Sequence, residues 1–293
     1  MGNEKHPLMK AAGIECLAMG IFVYICCGTA ASNLCCSDSS QVVATSLAFG
    51  FTIMVLAHSI AHVSGGHINP AVTLALMITR RCELLRGLAY MAAQFLGSII
   101  GSLLLYASLP HHSRGCLGAN TVGGGAILFS GGDDGYNTGR AFLMETITTF
   151  ILVFTVMSTI DPANSSTKAL GIFPIGMAVF ICHLIAIPLT GCGINPARSF
   201  GPGIIAYSFI DPCDNVMDDH WVFWLAPFLG AAIAAIGYDH LVQDHEQHTN
   251  LRETFHNDAY RKNGAQTKVG PISAESDQNL AKVNLPTGAI ARD

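Results

Sequence analysis

Charge is what this chain has least of. Asp, Glu, Lys and Arg together make 12% of the 293 residues, while 51% are hydrophobic. Soluble domains carry about a quarter charged residues, so the deficit excludes an ordinary water-soluble fold and points to a polytopic membrane protein, with the lipid bilayer as its surroundings. The formal net charge of -5 is small, and no dense basic patch occurs, which excludes nucleic acid as a partner. There is no CxxC pair and no HExxH, and the vicinal His111 and His112 read as loop residues. No metal and no cofactor is therefore expected. No nucleophile and base pair emerges from the polar residues either, so the chain does not read as an enzyme. The ten cysteines do not form a disulfide scaffold. Cys16, Cys26, Cys27 and Cys182 lie within apolar spans, where free cysteine acts as a small hydrophobe, leaving Cys35, Cys36, Cys116 and Cys213 available for oxidation.

What is present is a series of runs with little or no charge: Ala11 to Ser32, Gln41 to Thr79, Gly87 to Pro110, Ala141 to Ile160, Ala169 to Ile210 and Trp221 to Tyr238. The first is longer than the core of a signal peptide and contains Glu15, so it reads as a retained span. Two runs have the wrong length. As one helix, Gln41 to Thr79 would reach about 58 Å against a hydrocarbon core of about 30 Å, too long for one crossing and too short for two. Each long run also carries its own break. "SGGHINPAV" at 64 to 72 and "GCGINPARS" at 191 to 199 set glycines and then Asn-Pro into apolar sequence. Asn is a preferred N-cap, and Pro at the first helical position gives up an amide that has no partner there. Asn69 and Asn195 are each expected to start a half-helix of about 16 Å near the midplane.

Three crossings separate the two motifs, so the half-helices enter from opposite faces. Glu15 precedes Asn69 by 54 residues and Glu145 precedes Asn195 by 50, which marks an inverted repeat. Such repeats with interrupted helices point to a path for substrate at the repeat interface. The expected fold is an all-α membrane protein of six transmembrane helices plus two half-helices. Residues 1–10 read as an N-terminal tail and 11–241 as the channel domain, with repeats over about 11–110 and 140–241. Residues 242–293 read as a polar, largely disordered C-terminal tail, with a short helix near Leu251 to His256. With the N-terminus inside, the cytoplasmic side holds Lys5, Lys10, Arg80, Arg81, Arg86 and Lys168 against Arg114 and Arg140 outside. The excess places both termini in the cytoplasm. The Asn164 to Ser166 sequon then falls inside, unglycosylated.

Irregular backbone at membrane depth persists only where it is buried in protein or lines a wet cavity. Gly65, Gly66 and His67, and Gly191 and Gly193, are such backbone, and their carbonyls are expected to form a ladder of acceptors for water. The two half-helix N-termini, each worth about half a positive charge, would repel cations at the midplane. Donors from the Asn69 and Asn195 amides would orient a permeating water so that it cannot relay a proton. Arg198 is the sole Asp, Glu, Lys or Arg between Ala169 and Ile210. At about 2.5 to 3.5 kcal/mol on insertion scales, a charge in a span faces a polar path by default. Glu15 and Glu145 read as structural acceptors for loop backbone, and "GSIIG" at 97 to 101 as a small-residue stripe for helix packing, within or between protomers.

The pair "HINPAVT" and "GINPARS", the six spans, and Glu15 and Glu145 resemble the aquaporin (major intrinsic protein) family across nearly the whole membrane region. The resemblance implies a pore midplane at Asn69, Pro70, Ala71, Asn195, Pro196 and Ala197. It also implies an outer filter of Phe49, His183, Cys192 and Arg198, the set found in water-selective members, with the Cys192 thiol facing the pore and open to mercurials. It implies a passive water channel that excludes protons and ions, assembled as a homotetramer, most naturally in the plasma membrane. Glycerol facilitators of the same family are the nearest rival, but they tend to carry Asp after the arginine where Ser199 stands here, and to lack this histidine. An alternating-access transporter would need coupling carboxylates beside the Asn-Pro motifs, and none is there.

Overall fold

The computed structural model describes residues 6–32, 39–123, 137–164, 170–211 and 213–242. The chain divides into two units, Met1–Gln243 and Asp244–Asp293. All described residues lie in the first. Cys35, Cys36, Lys168 and the expected helix near Leu251 to His256 fall outside them.

Bilayer lipid offers no partners for backbone polar groups, so each apolar run must satisfy its own amides as helix. The helices are α1 (Leu8–Ser32), α2 (Ser39–Ser64), α3 (Pro70–Ile78), α4 (Leu84–Ser108), α5 (Thr138–Thr159), α6 (Phe173–Thr190), α7 (Pro196–Phe209) and α8 (Val222–Leu241). Six of them, all but α3 and α7, are long and apolar enough to cross a membrane. The two over-long runs break where expected: α2 gives way to α3 and α6 to α7 across five irregular residues each, 65–69 and 191–195. The described residues contain helices, a 3-10 turn at His111–Ser113 and no strand.

Glycine sets how closely the crossing helices approach. A Cβ on Gly97 would collide with the Cys16 carbonyl, and one on Gly101 with the Gly20 carbonyl, so "GSIIG" presses α4 onto α1 inside the protomer. In the second half Gly230 of α8 meets the Thr146 carbonyl of α5 in the same way. Between the halves, α2 and α6 cross at Gly50 and Gly176, where a Cβ on either would reach the other's carbonyl at 2.8 and 2.7 Å. Outward faces keep large apolar side chains such as Leu17, Phe51, Leu96, Leu143, Ile181 and Leu229 exposed, a surface suited to lipid. On one side, a Cys116–Cys213 disulfide joins the segment after α4 to the turn after α7.

Candidate permeation pathway

Both half-helices start as their sequences dictate. Asn69 is extended at φ -158, and its side-chain oxygen accepts from the Ala71 amide at 2.8 Å. Asn195, at φ -154, accepts from Ala197 and Arg198 at 3.1 and 3.2 Å. Each asparagine also reaches across to the other half. Asn69 Nδ2 donates to the Ile194 carbonyl and Asn195 Nδ2 to the Ile68 carbonyl, both at 2.9 Å. The two helix tips are thus joined to each other, and each amide keeps a second N–H for another acceptor.

The chain can turn into these tips because each irregular segment passes through left-handed backbone: Gly65, Gly66 and Ile68 at φ 98, 68 and 49, and Gly191, Cys192 and Ile194 at 73, 57 and 44. A buried carboxylate fastens each turn. Glu15 accepts from Ser64 Oγ at 2.6 Å, the His67 and Ile68 amides at 2.9 and 2.7 Å, and Gln94 Nε2 at 2.9 Å. Glu145 accepts from Thr190 Oγ1 at 2.6 Å and the Gly193 and Ile194 amides at 2.8 and 2.7 Å. Amides that would otherwise be orphaned at membrane depth gain side-chain acceptors.

A cavity of about 400 Å³ runs past these tips, from Thr159, Ile160, Gly171 and Ile172 at one end to Phe49, His183 and Arg198 at the other. Asn69 and Asn195 both line it, as do Gly65, Gly66, His67 and Gly193. At the far end the Phe49 ring stacks on His183 at 4.0 Å, and the Arg198 guanidinium carbon lies 4.9 Å from the Phe49 centroid. Phe22 braces Phe49 edge-on at 5.6 Å. His183 Nδ1 lies 2.8 Å from the Val179 carbonyl, which can only accept, so Nδ1 carries the proton and Nε2 of the neutral ring is an acceptor. Arg198 Nη1 donates to the Gly118 carbonyl at 3.0 Å. His183 Nε2 and Arg198 Nε make no protein hydrogen bond, so an acceptor and a donor remain unspent at the constriction.

Several candidates sit behind the wall. Ala71 and Ala197 are fully buried, and neither they nor Pro70 and Pro196 line the cavity. The Ala197 carbonyl is taken by Ser98 Oγ at 2.5 Å, which docks the first turn of α7 on α4. Cys192 is fully buried and is not among the residues that line the cavity. Cys192 is left-handed at φ 57, and the next two residues, Gly193 and Ile194, line the cavity. Gly191 caps α6 in left-handed conformation beside Asn120. His67 lines the cavity and holds Thr73 Oγ1 through Nδ1 at 3.1 Å, whereas His58 and His62 are exposed on α2.

Sequence reasoning passed over Gln94, which donates to both Glu15 and Thr73 Oγ1, at 2.9 and 3.2 Å. A lone buried amide in the apolar run of α4 was the available signal. It also passed over Asn120, which donates to the Thr190 carbonyl at 3.0 Å and accepts from Ser199 Oγ at 2.9 Å.

Comparison with known proteins agrees with this geometry. The family model for the major intrinsic protein matches residues 3–238. Aquaporin PIP2-7 of Arabidopsis thaliana is 40% identical over 255 residues, covering 83% of this chain and 85% of that protein. Aquaporin-1 of Bos taurus is 38% identical over 249 residues, covering 82% and 84%. Among solved structures, the aquaglyceroporin of Plasmodium falciparum superposes with a TM-score of 0.67 at 20% identity, over 80% of this chain and 97% of that one, a likeness of fold. Two Asn-Pro half-helices joined at their tips, six spans around them, and a family match over nearly the whole described region make one assignment: this chain is a member of the major intrinsic protein family.

Proposed function

We propose that the chain is a passive water channel, with one complete pore in each protomer and no chemical step of its own. The ring of Phe49, His183 and Arg198 at the end of the cavity carries the reading. Two bulky rings in contact stand at this end of the cavity. A donor from Arg198 and an acceptor on His183 replace the hydrogen bonds that water gives up on entry, and a bulkier triol has to pass the same gap. Deeper in, the second N–H of Asn69 and of Asn195 offers a donor to each passing oxygen. The N-termini of α3 and α7 add about half a positive charge each, so a cation or a relayed proton meets an unfavourable field. Relatives named as aquaporins in plants and in cattle support water as the permeant.

Family membership and the six apolar spans support a multi-pass membrane protein. The excess of Lys and Arg on one side supports cytoplasmic termini. The plasma membrane and a homotetramer complete the proposal. Chemical cross-linking in native membranes should give a four-copy ladder.

Stopped-flow light scattering on proteoliposomes tests the function. Osmotic shrinkage should be fast in an impermeant solute and glycerol entry negligible. Equal rates for water and glycerol would assign the chain to glycerol facilitation instead.

A further inference from the structure

Arg198 is packed in place beside the Phe49 ring, but few polar groups hold its guanidinium. Among the described residues it forms no ion pair, and the hydrogen bond of its guanidinium goes to one neutral group, the Gly118 carbonyl. Where that carbonyl stands therefore decides where the charge stands. Gly118 belongs to a strap after α4 that runs through three left-handed residues, Gly115, Leu117 and Gly118, at φ 47, 53 and 63. Leu117 is fully buried and has no glycine's freedom, so it keeps this backbone only if its surroundings impose it.

The strap is pinned on both sides of Gly118. Downstream, the Asn120 side chain ties it to Thr190 and Ser199, and the Gly123 amide donates to the Leu189 carbonyl at 3.1 Å. Upstream, the Cys116–Cys213 disulfide ties it to the turn after α7, the helix whose first turn carries Arg198. Gly118 itself is wedged on α1, where a Cβ would come 3.1 Å from the Cys27 carbonyl.

We propose that the Cys116–Cys213 disulfide is a specificity-determining strut, which keeps the Gly118 carbonyl against Arg198 and so holds the filter at its width. The inference rests on the water-selective reading above. With the bond cut, the strap loses its covalent tie to the turn after α7 and keeps upstream the Arg114 contacts to the Leu109 carbonyl and the Tyr106 ring, so that Arg198 gains freedom over Phe49 and the opening admits solutes larger than water. Cys116 and Cys213 are positioning residues, since neither touches the permeant.

The test compares wild type, Cys116→Ser/Cys213→Ser, and wild type reduced with dithiothreitol and then alkylated. In the reduced sample the S–S bond takes up two electrons and two protons to give two thiols, while dithiothreitol closes to its cyclic disulfide. Mass spectrometry verifies alkylation of both cysteines. Water, urea and glycerol permeabilities are read on the same proteoliposomes. The glycerol-to-water and urea-to-water ratios should rise at least about threefold in both disulfide-free samples, with water flux close to wild type. A merely stabilising bond would lower all fluxes together and leave the ratios unmoved. Wild-type ratios in both samples, with water still conducted, would overturn the strut alone; a wild type without water flux would overturn the strut and the channel reading together.

Discussion

The two half-helix hairpins of this protein share a backbone and differ in three side chains that matter. "SGGHINPAVT" and "TGCGINPARS" align residue for residue from Ser64 and Thr190. Both segments turn through left-handed positions, both are fastened by a buried glutamate at distances that agree within 0.1 Å for the backbone amides, and both send an asparagine to the other's carbonyl at 2.9 Å. Against this symmetry stand Gly66 and Cys192, His67 and Gly193, and Val72 and Arg198. The same register pairs Phe49 with Ile175 and His183 with Ala57. Ala57, Val72 and Ile175 all line the cavity, so one half presents an apolar ring, the inner one on the orientation proposed above, where the other presents an aromatic, an imidazole and a guanidinium. On the proposal above, the symmetric backbone makes the crossing and the asymmetric ring decides what crosses.

The fastening should break with the largest effect. Glu145→Ala leaves the buried Gly193 and Ile194 amides unpaired, with Thr190 Oγ1 falling back on the Ala186 carbonyl, and Glu15→Ala leaves four buried donors unpaired. At about 1–3 kcal/mol each, either change should cost about 3 kcal/mol or more, read as a large drop in thermal midpoint in detergent. A neutral result in one half would mean that half is held by something other than its carboxylate. A smaller pair of effects is expected at the next unequal position. Gly66→Cys puts a Cβ 3.1 Å from the Ala57 carbonyl on left-handed backbone and should destabilise by about 1–3 kcal/mol. Cys192→Gly relieves a left-handed non-glycine but also empties a fully buried site, so the two terms offset and the net change should stay within about 1 kcal/mol of wild type. Equal losses from both would show that the two turns are not equivalent in strain.

The smallest effect belongs to a residue that has no counterpart in this comparison. His220, in the turn before α8, lies among Phe200, Phe223 and Trp224 with both ring nitrogens lacking a protein partner. Burial pushes its pKa down from 6.5 to about 4. Between those values the unfolded chain binds the proton and the folded one does not, so stability should fall as pH drops from about 6.5 to about 4 and level off below. His220→Phe should flatten that slope in detergent melts, and an unchanged slope would assign it to other groups.

Much of this was legible in the sequence, for physical reasons. Charge-free runs must become helix in a bilayer, and a run of the wrong length must break at its glycines, so α2–α3 and α6–α7 could be drawn before any coordinates. Asn before Pro is a cap by chemistry alone, as Asn69 and Asn195 demonstrate. Which side chains of those motifs face the cavity was not legible. That depends on how each turn is set in three dimensions: Gly193 lines the cavity, whereas Ala71 and Ala197, in the first turns of α3 and α7, are fully buried. Nor could spacing alone pair Cys116 with Cys213, since they stand 97 positions apart with α5, α6 and α7 between them. The tie from Asn120 to Ser199 was hidden for the same reason.

If the outer ring sets selectivity, giving it the inner ring's side chains should abolish discrimination while leaving the crossing intact. The decisive measurement is the glycerol-to-water permeability ratio of His183→Ala/Arg198→Val in proteoliposomes, set beside wild type and beside Val72→Ala. The ratio should rise at least about tenfold in the outer-ring variant, a loss of about 1.4 kcal/mol or more of discrimination, and stay near wild type in the inner-ring one. An outer-ring variant that still excludes glycerol while conducting water would contradict the account.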